Sequence, residues 1–160
     1  MTDPASLRNA FIEDYGEAYK HFGLPRLMGH VVALLLYEDG PLSLTRITEE
    51  LRVSKGPVSQ VMRRLRENGL VRKVWVPGSR SDHYTPEDDI FGLAFGNMVK
   101  QMHGNLDLAQ RHAQALATAD VEPPETFRRR IEEMRRFYTL MARHHAAFLA
   151  EWAGQREERS

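Results

Sequence analysis

The chain has no cysteine in its 160 residues, which excludes disulfides, thiolate nucleophiles and cysteine-based zinc sites. Long apolar runs are also missing. The longest, VVALLLY from Val31 to Tyr37, is far short of the roughly 20 residues that a membrane-spanning helix needs. The first stretch, MTDPASLRNAFIEDYGE, lacks the basic-then-apolar build of a secretory leader. No glycine-rich phosphate loop, HExxH or GxSxG motif occurs. His103 and His112 fall on opposite sides of a helix, and the adjacent His144 and His145 point apart, so no metal site forms from them. These absences predict a soluble, cytoplasmic protein that is not an enzyme and has no cofactor, metal or membrane partner.

Net charge is absent as well, with 22 bases against 22 acids, but the balance is uneven along the chain. From Ser43 to Thr85 there are nine bases and four acids, an excess of five that the remainder cancels. Within it, VSKGPVSQVMRRLRENGLVRKVW carries Lys55, Arg63, Arg64, Arg66, Arg72 and Lys73 against Glu67 alone. A basic module between acidic arms is the pattern of a local anion-binding surface.

Periodicity gives the order of elements. Leu7, Phe11, Tyr15, Ala18 and Phe22 predict a first amphipathic helix. An apolar helix follows from about Pro25 to Glu38. Ser43 or Thr45 can cap a short helix bearing Leu44, Ile47 and Leu51, and Ser54 can cap the next. In that helix Val58, Val61, Met62 and Leu65 face inward, while Ser59, Gln60, Arg63, Arg64 and Glu67 face out. Asn68-Gly69 ends it, and Leu70 to Pro77 and HYT read as a two-stranded hairpin around the turn PGSRSD. The fold class is therefore mainly α with a small β-hairpin wing: a winged helix-turn-helix with long helical dimerisation arms. The expected divisions are 1–24 for an N-terminal helix contributing to a dimer interface, 25–86 for the winged module and 87–160 for the helical dimerisation region. In the last helix Phe127, Ile131, Met134, Tyr138, Met141, His145, Phe148 and Trp152 step by four and three, a seam that predicts a homodimer. His145 is expected there as a hydrogen-bonded core residue.

A basic helix of this kind can enter the major groove, where Arg reads guanine and Gln reads adenine. Ser59, Gln60, Arg63 and Arg64 are candidates for base contacts, and Ser54 and Lys55 for phosphates. Lys73 would support the backbone contact, and Arg80 at the wing tip would reach the minor groove. The expected partner is double-stranded DNA. A winged-helix module for protein–protein assembly remains the alternative, distinguished by its weak dependence on salt.

The segment from Ser54 to Phe91 resembles the MarR-type regulators, most closely their GbsR-like branch. The resemblance rests on SKG at Ser54 to Gly56, Val58-Ser59, GLVRKVW at Gly69 to Trp75 and GSR at Gly78 to Arg80, with Asp82, Tyr84, Glu87, Asp89 and Phe91. It covers roughly the middle third of the chain. Where such wings often read Asp-x-Arg, this one reads Gly78-Ser79-Arg80, so the arginine role carries over to Arg80 without an aspartate two positions before it. The resemblance implies a dimeric transcription regulator, often a repressor, with two recognition helices about one helical turn apart on an inverted repeat. It also implies a small-molecule inducer, and the choline and glycine betaine links of some GbsR-like members suggest a quaternary ammonium compound. Such a cation is held on aromatic faces, for which Tyr15, Tyr37, Trp75, Tyr84 and Phe91 are candidates, with Tyr19 and Phe95 nearby in sequence.

Overall fold

Asp3 starts the first helix, α1 (Pro4–His21), by accepting hydrogen bonds from the backbone N–H groups of Ala5 and Ser6 at 2.9 and 3.1 Å. The computed structural model describes residues 3–120 and 122–159, so the outermost residues of the expected divisions (1, 2 and 160) lie outside it. The chain divides into two compact units, residues 1–90 and 91–160.

In the first unit α1 packs on α2 (Arg26–Tyr37), whose Met28 and Val31 to Leu35 are buried. The side of α1 that is buried in the single chain is that of Ile12 and Gly16. Leu7, Phe11 and Phe22 are 60%, 37% and 78% exposed. Gly16 and Gly29 lie where α1 crosses α2 and allow the close approach of the two helices.

The strand β1 (Leu42–Ser43) runs directly into α3 (Leu44–Leu51), whose first turn is capped by Ser43 Oγ accepting from the Arg46 N–H at 3.1 Å. Arg52 ends α3 in the left-handed conformation, with φ of 53°. The next helix, α4 (Lys55–Glu67), has Ser54 at its cap position, but the hydroxyl makes no capping hydrogen bond, contrary to expectation. Val58, Val61, Met62 and Leu65 are buried beneath it, as their spacing requires. At its end Leu70 N–H donates to Leu65 O at 2.9 Å while Gly69 turns through a positive φ.

The hairpin pairs β2 (Val71–Val74) with β3 (His83–Pro86), and β1 adds to the other edge of β3, so the antiparallel sheet has three strands in the order β1-β3-β2. The sequence pointed to two. A two-residue strand has no periodicity to read, and its pairing of Leu42 with Tyr84 exists only in the fold. At the wing tip, Ser79 N–H donates to Val76 O at 3.2 Å, and Gly78 has φ of 80°. Pro77 followed by a glycine of positive φ is the chemistry of a tight turn.

The second unit contains all but the first residue of α5 (Ile90–Ala117) and all of α6 (Glu125–Glu157). Within it Phe95 meets Phe148 edge-on, ring centroids 4.8 Å apart, and the edge of His145 at 5.4 Å. His145 is half-buried, and its Nδ1 has no hydrogen-bond partner among the described residues. Ile131 is buried in that seam, Met134, Tyr138, Met141 and Trp152 are half-buried, and Phe127 and Phe148 are about half exposed. No helix among the described residues is long and apolar enough to cross a membrane.

Candidate nucleic-acid interface

The amphipathic pattern of α4 settles which of its side chains are presented. With Val58, Val61, Met62 and Leu65 anchored in the core, Lys55, Ser59, Gln60, Arg63, Arg64 and Arg66 are all exposed. Ser54 lies immediately before them, also exposed. The structure thus gathers Ser54, Lys55, Ser59, Gln60, Arg63 and Arg64 on one element. Arg66 joins them although the sequence reading gave it no role. Its signal was present, since residues 59, 63 and 66 share a helical side.

What separates these cations is whether their charge is already matched. Arg63 stands 3.9 Å from Glu67, and both side chains are about 70% exposed, so the attraction is weak. Lys55, Arg64 and Arg66 make no ion pair among the described residues. Arg72 is committed inward, 2.9 Å from Glu87 and 3.6 Å from Asp88. Lys73 is likewise engaged, its Nζ 2.5 Å from Asp82 Oδ2 across the hairpin. Arg80, exposed beside the wing tip, has no ion-pair partner among the described residues. Lys73, the expected backbone cation, is thus paired within the wing by a largely exposed ion pair, and Arg80 is the wing's uncommitted charge.

Two grooves flank α4. One runs toward β2 and is lined by Arg63, Arg66, Gly69, Val71, Arg72 and Lys73, with Glu67 and Glu87. The other runs toward the start of α2 and is lined by Pro25, Leu27, Met28, Pro57, Gln60 and Arg64 among others. A protruding helix with a groove on each side and unmatched cations along it can take a polyanion whose charged ridges straddle the helix.

The aromatic candidates of the first unit have separate surroundings among the described residues. Tyr15 sits in a ladder on α1, with Phe11 and Tyr19 each 5.4 Å away. Burial raises the Tyr15 phenol, and burial together with Tyr15 pushes Tyr19 up to about 12. The face of Tyr37 is occupied by the Arg8 guanidinium, 5.7 Å from the ring centroid. Tyr84 is buried in the sheet, and Trp75 is 80% exposed on the wing. None of the rings of Tyr15, Tyr37, Trp75 and Tyr84 pairs with another among the described residues. Phe91 belongs to the second unit, where it lines an apolar hollow of about 150 Å³ with Gly92, Phe95, Phe148 and Trp152. Of these partners only Phe95 was near the sequence-derived set, because Phe148 and Trp152 come from the far helix.

Comparison with known proteins converges on one class. Residues 34–72 match the family model of winged helix-turn-helix DNA-binding domains, and residues 96–157 match that of MmpR5-like MarR family transcriptional regulators. The HTH-type transcriptional regulator YvaV of Bacillus subtilis (strain 168) is 31% identical over 107 residues, 61% of this chain and 60% of that protein. The HTH-type transcriptional repressor OpcR of the same organism is 31% identical over 80 residues, 50% of this chain and 43% of that protein. The chain thus covers less than two thirds of the length of both relatives. A crystal structure of a transcriptional regulator superposes with a TM-score of 0.75 at 25% identity, over 92% of this chain and 98% of the other. These families and relatives are transcriptional regulators, not enzymes.

Proposed function

We propose that this chain, which carries MarR-family winged helix-turn-helix regulator domains, binds double-stranded DNA as a homodimer and represses transcription from an inverted-repeat operator. The observation that carries the reading is the exposed face of α4, where Lys55, Arg64 and Arg66 stand without ion-pair partners beside Gln60 and Ser59. Cations left unmatched on a rigid, core-anchored helix are available for counterion-releasing contacts with phosphates. In this reading Gln60, Arg63 and Arg64 address base edges, Ser54 and Lys55 the backbone, and Arg80 the minor groove. Within the family, SKG and GLVRKVW favour the GbsR-like branch.

Support for a homodimer comes from apolar faces left uncovered in a single chain. Leu7 and Phe11 are exposed on α1 and Phe22 just after it, and Phe127, Phe137, Leu140 and Phe148 on α6. Burying such faces against a second copy removes apolar area from water and sets two α4 helices about one turn of DNA apart. The repressor sign follows that of the related HTH-type transcriptional repressor OpcR. Release by a small ligand completes the proposal.

The test is binding of the purified protein to fragments from upstream of its own gene, at two salt concentrations, beside a non-specific duplex. Fragment-selective binding that weakens steeply with salt and is lost in the Arg63→Ala, Arg64→Ala variant supports the regulator. Equal, weak binding to every duplex, or binding indifferent to salt, favours the protein–protein assembly module instead.

A further inference from the structure

Trp75 is the most exposed of the large apolar side chains among the described residues, at 80%. Tryptophan is buried to a high degree on average, so an indole left in water calls for a reason beyond the scattered exposure that any surface shows. Its surroundings supply one. Trp75 directly follows β2 and precedes the hydrogen-bonded turn Val76–Ser79, so its backbone is held on both sides. No aromatic ring or guanidinium stacks on the indole among the described residues, unlike Tyr37, whose face Arg8 occupies. Of the charges around it, Lys73 is matched by Asp82 and Arg72 by Glu87 and Asp88, which leaves Arg80 as the cation without an ion-pair partner among the described residues.

An uncovered apolar ring on a fixed hairpin whose unmatched charge is the cation Arg80 complements a surface that is anionic at its edges and apolar between them. Duplex DNA is such a surface. Its phosphates are the anions, and the deoxyribose faces and base edges of the minor groove are the apolar floor, against which proteins lay apolar side chains. An apolar protein partner would not call for the cation, and a simple polyanion would not call for the indole.

We infer that Trp75 is a DNA-contacting residue of the wing, laying its indole along the sugar–base wall of the minor groove beside Arg80. The inference rests on the DNA-binding reading above. The two residues divide the work, Arg80 supplying the salt-dependent attraction and Trp75 a salt-independent apolar contact.

The chain has two tryptophans, so 5-fluorotryptophan labelling gives two fluorine resonances, and the Trp75→Phe variant assigns them. Titration with the operator-bearing duplex is expected to move the Trp75 resonance and to reduce its H2O/D2O isotope shift as water leaves the ring. Trp75→Ala is expected to weaken binding roughly five- to tenfold, in the range of aromatic contacts to nucleotides, without changing the slope of log K against log salt. Trp75→Phe should recover part of the loss, and Arg80→Ala should instead reduce that slope by about 0.9. If the duplex binds while the Trp75 resonance stays still and Trp75→Ala binds like the parent, the inference is wrong and the DNA reading survives. If the parent binds no duplex, both fail together. Because Trp75 is exposed, unchanged thermal unfolding of Trp75→Ala separates lost contact from lost fold.

Discussion

Gly16 and Gly29 meet backbone to backbone where α1 crosses α2. A Cβ placed on Gly29 would stand 2.8 Å from Gly16 Cα and 2.6 Å from the carbonyl oxygen of Tyr15. One placed on Gly16 would stand 2.3 Å from the His30 ring. The obstacle differs in kind: a ring can rotate, whereas the backbone of a packed helix cannot step aside alone.

Gly29→Ala should therefore destabilise the first unit by about 1–3 kcal/mol, the cost typical of overpacking. Gly16→Ala should cost less, and Gly104→Ala, which adds a methyl to open space in a helix, should be neutral or stabilising. Thermal unfolding of the three variants ranks them. Equal stability of Gly29→Ala and the parent would show that the helices do not cross this closely.

Arg8 ties α1 to two other elements, with Nη2 2.6 Å from Glu50 of α3 and Nε 3.6 Å from Glu38 just after α2, over the face of Tyr37. Its side chain is only 16% exposed, so the pair is shielded from water more than an ordinary surface pair. Arg8→Ala should cost about 1–2 kcal/mol, more than the few tenths usual at exposed pairs such as Arg63–Glu67. Urea unfolding of Arg8→Ala beside Glu67→Gln measures the difference.

The Lys73–Asp82 pair gives a counter-intuitive expectation. Asp82→Asn removes the acid that occupies Lys73 and leaves that ammonium free for phosphate. Affinity for duplex DNA at low salt should rise by about three- to tenfold, with the salt slope steeper by about 0.9. Anisotropy titrations at several salt concentrations read both quantities. A loss of affinity would mean that holding the hairpin in shape matters more than the freed charge.

Tyr19 makes the first unit sensitive to alkali. Burial and the neighbouring Tyr15 phenol push its ionisation from 10.0 up to about 12. The folded state therefore holds the proton more tightly than the unfolded chain. This contribution to stability is complete below about pH 10 and disappears as the pH rises through 12. Phenolate absorbance should show a late component that Tyr19→Phe abolishes, and denaturant unfolding at pH 11 should find the variant less weakened, relative to pH 8, than the parent.

Much of this protein was set by local chemistry and so was legible in the chain itself. Val58, Val61, Met62 and Leu65 recur at helical spacing, which fixes the buried side of α4 and hence the outward side of Gln60, Arg63 and Arg64 before any contact is known. Ser43 before α3 and Pro77-Gly78 at the wing tip act within a few residues, and their hydrogen bonds and backbone angles follow from residue type. What the tertiary structure alone decided are relations between residues distant in sequence. The close approach of α1 at Gly16 depended on Gly29, the glycine of another helix. Which cations of the wing remain unmatched depended on where Asp82 and Glu87 lie in space, because an ion pair across strands needs only proximity and leaves no periodic trace. The exposure of Trp75 belongs to the same class. Composition marks tryptophan as a core residue, and only the hairpin that carries it beyond the packed module puts it in water.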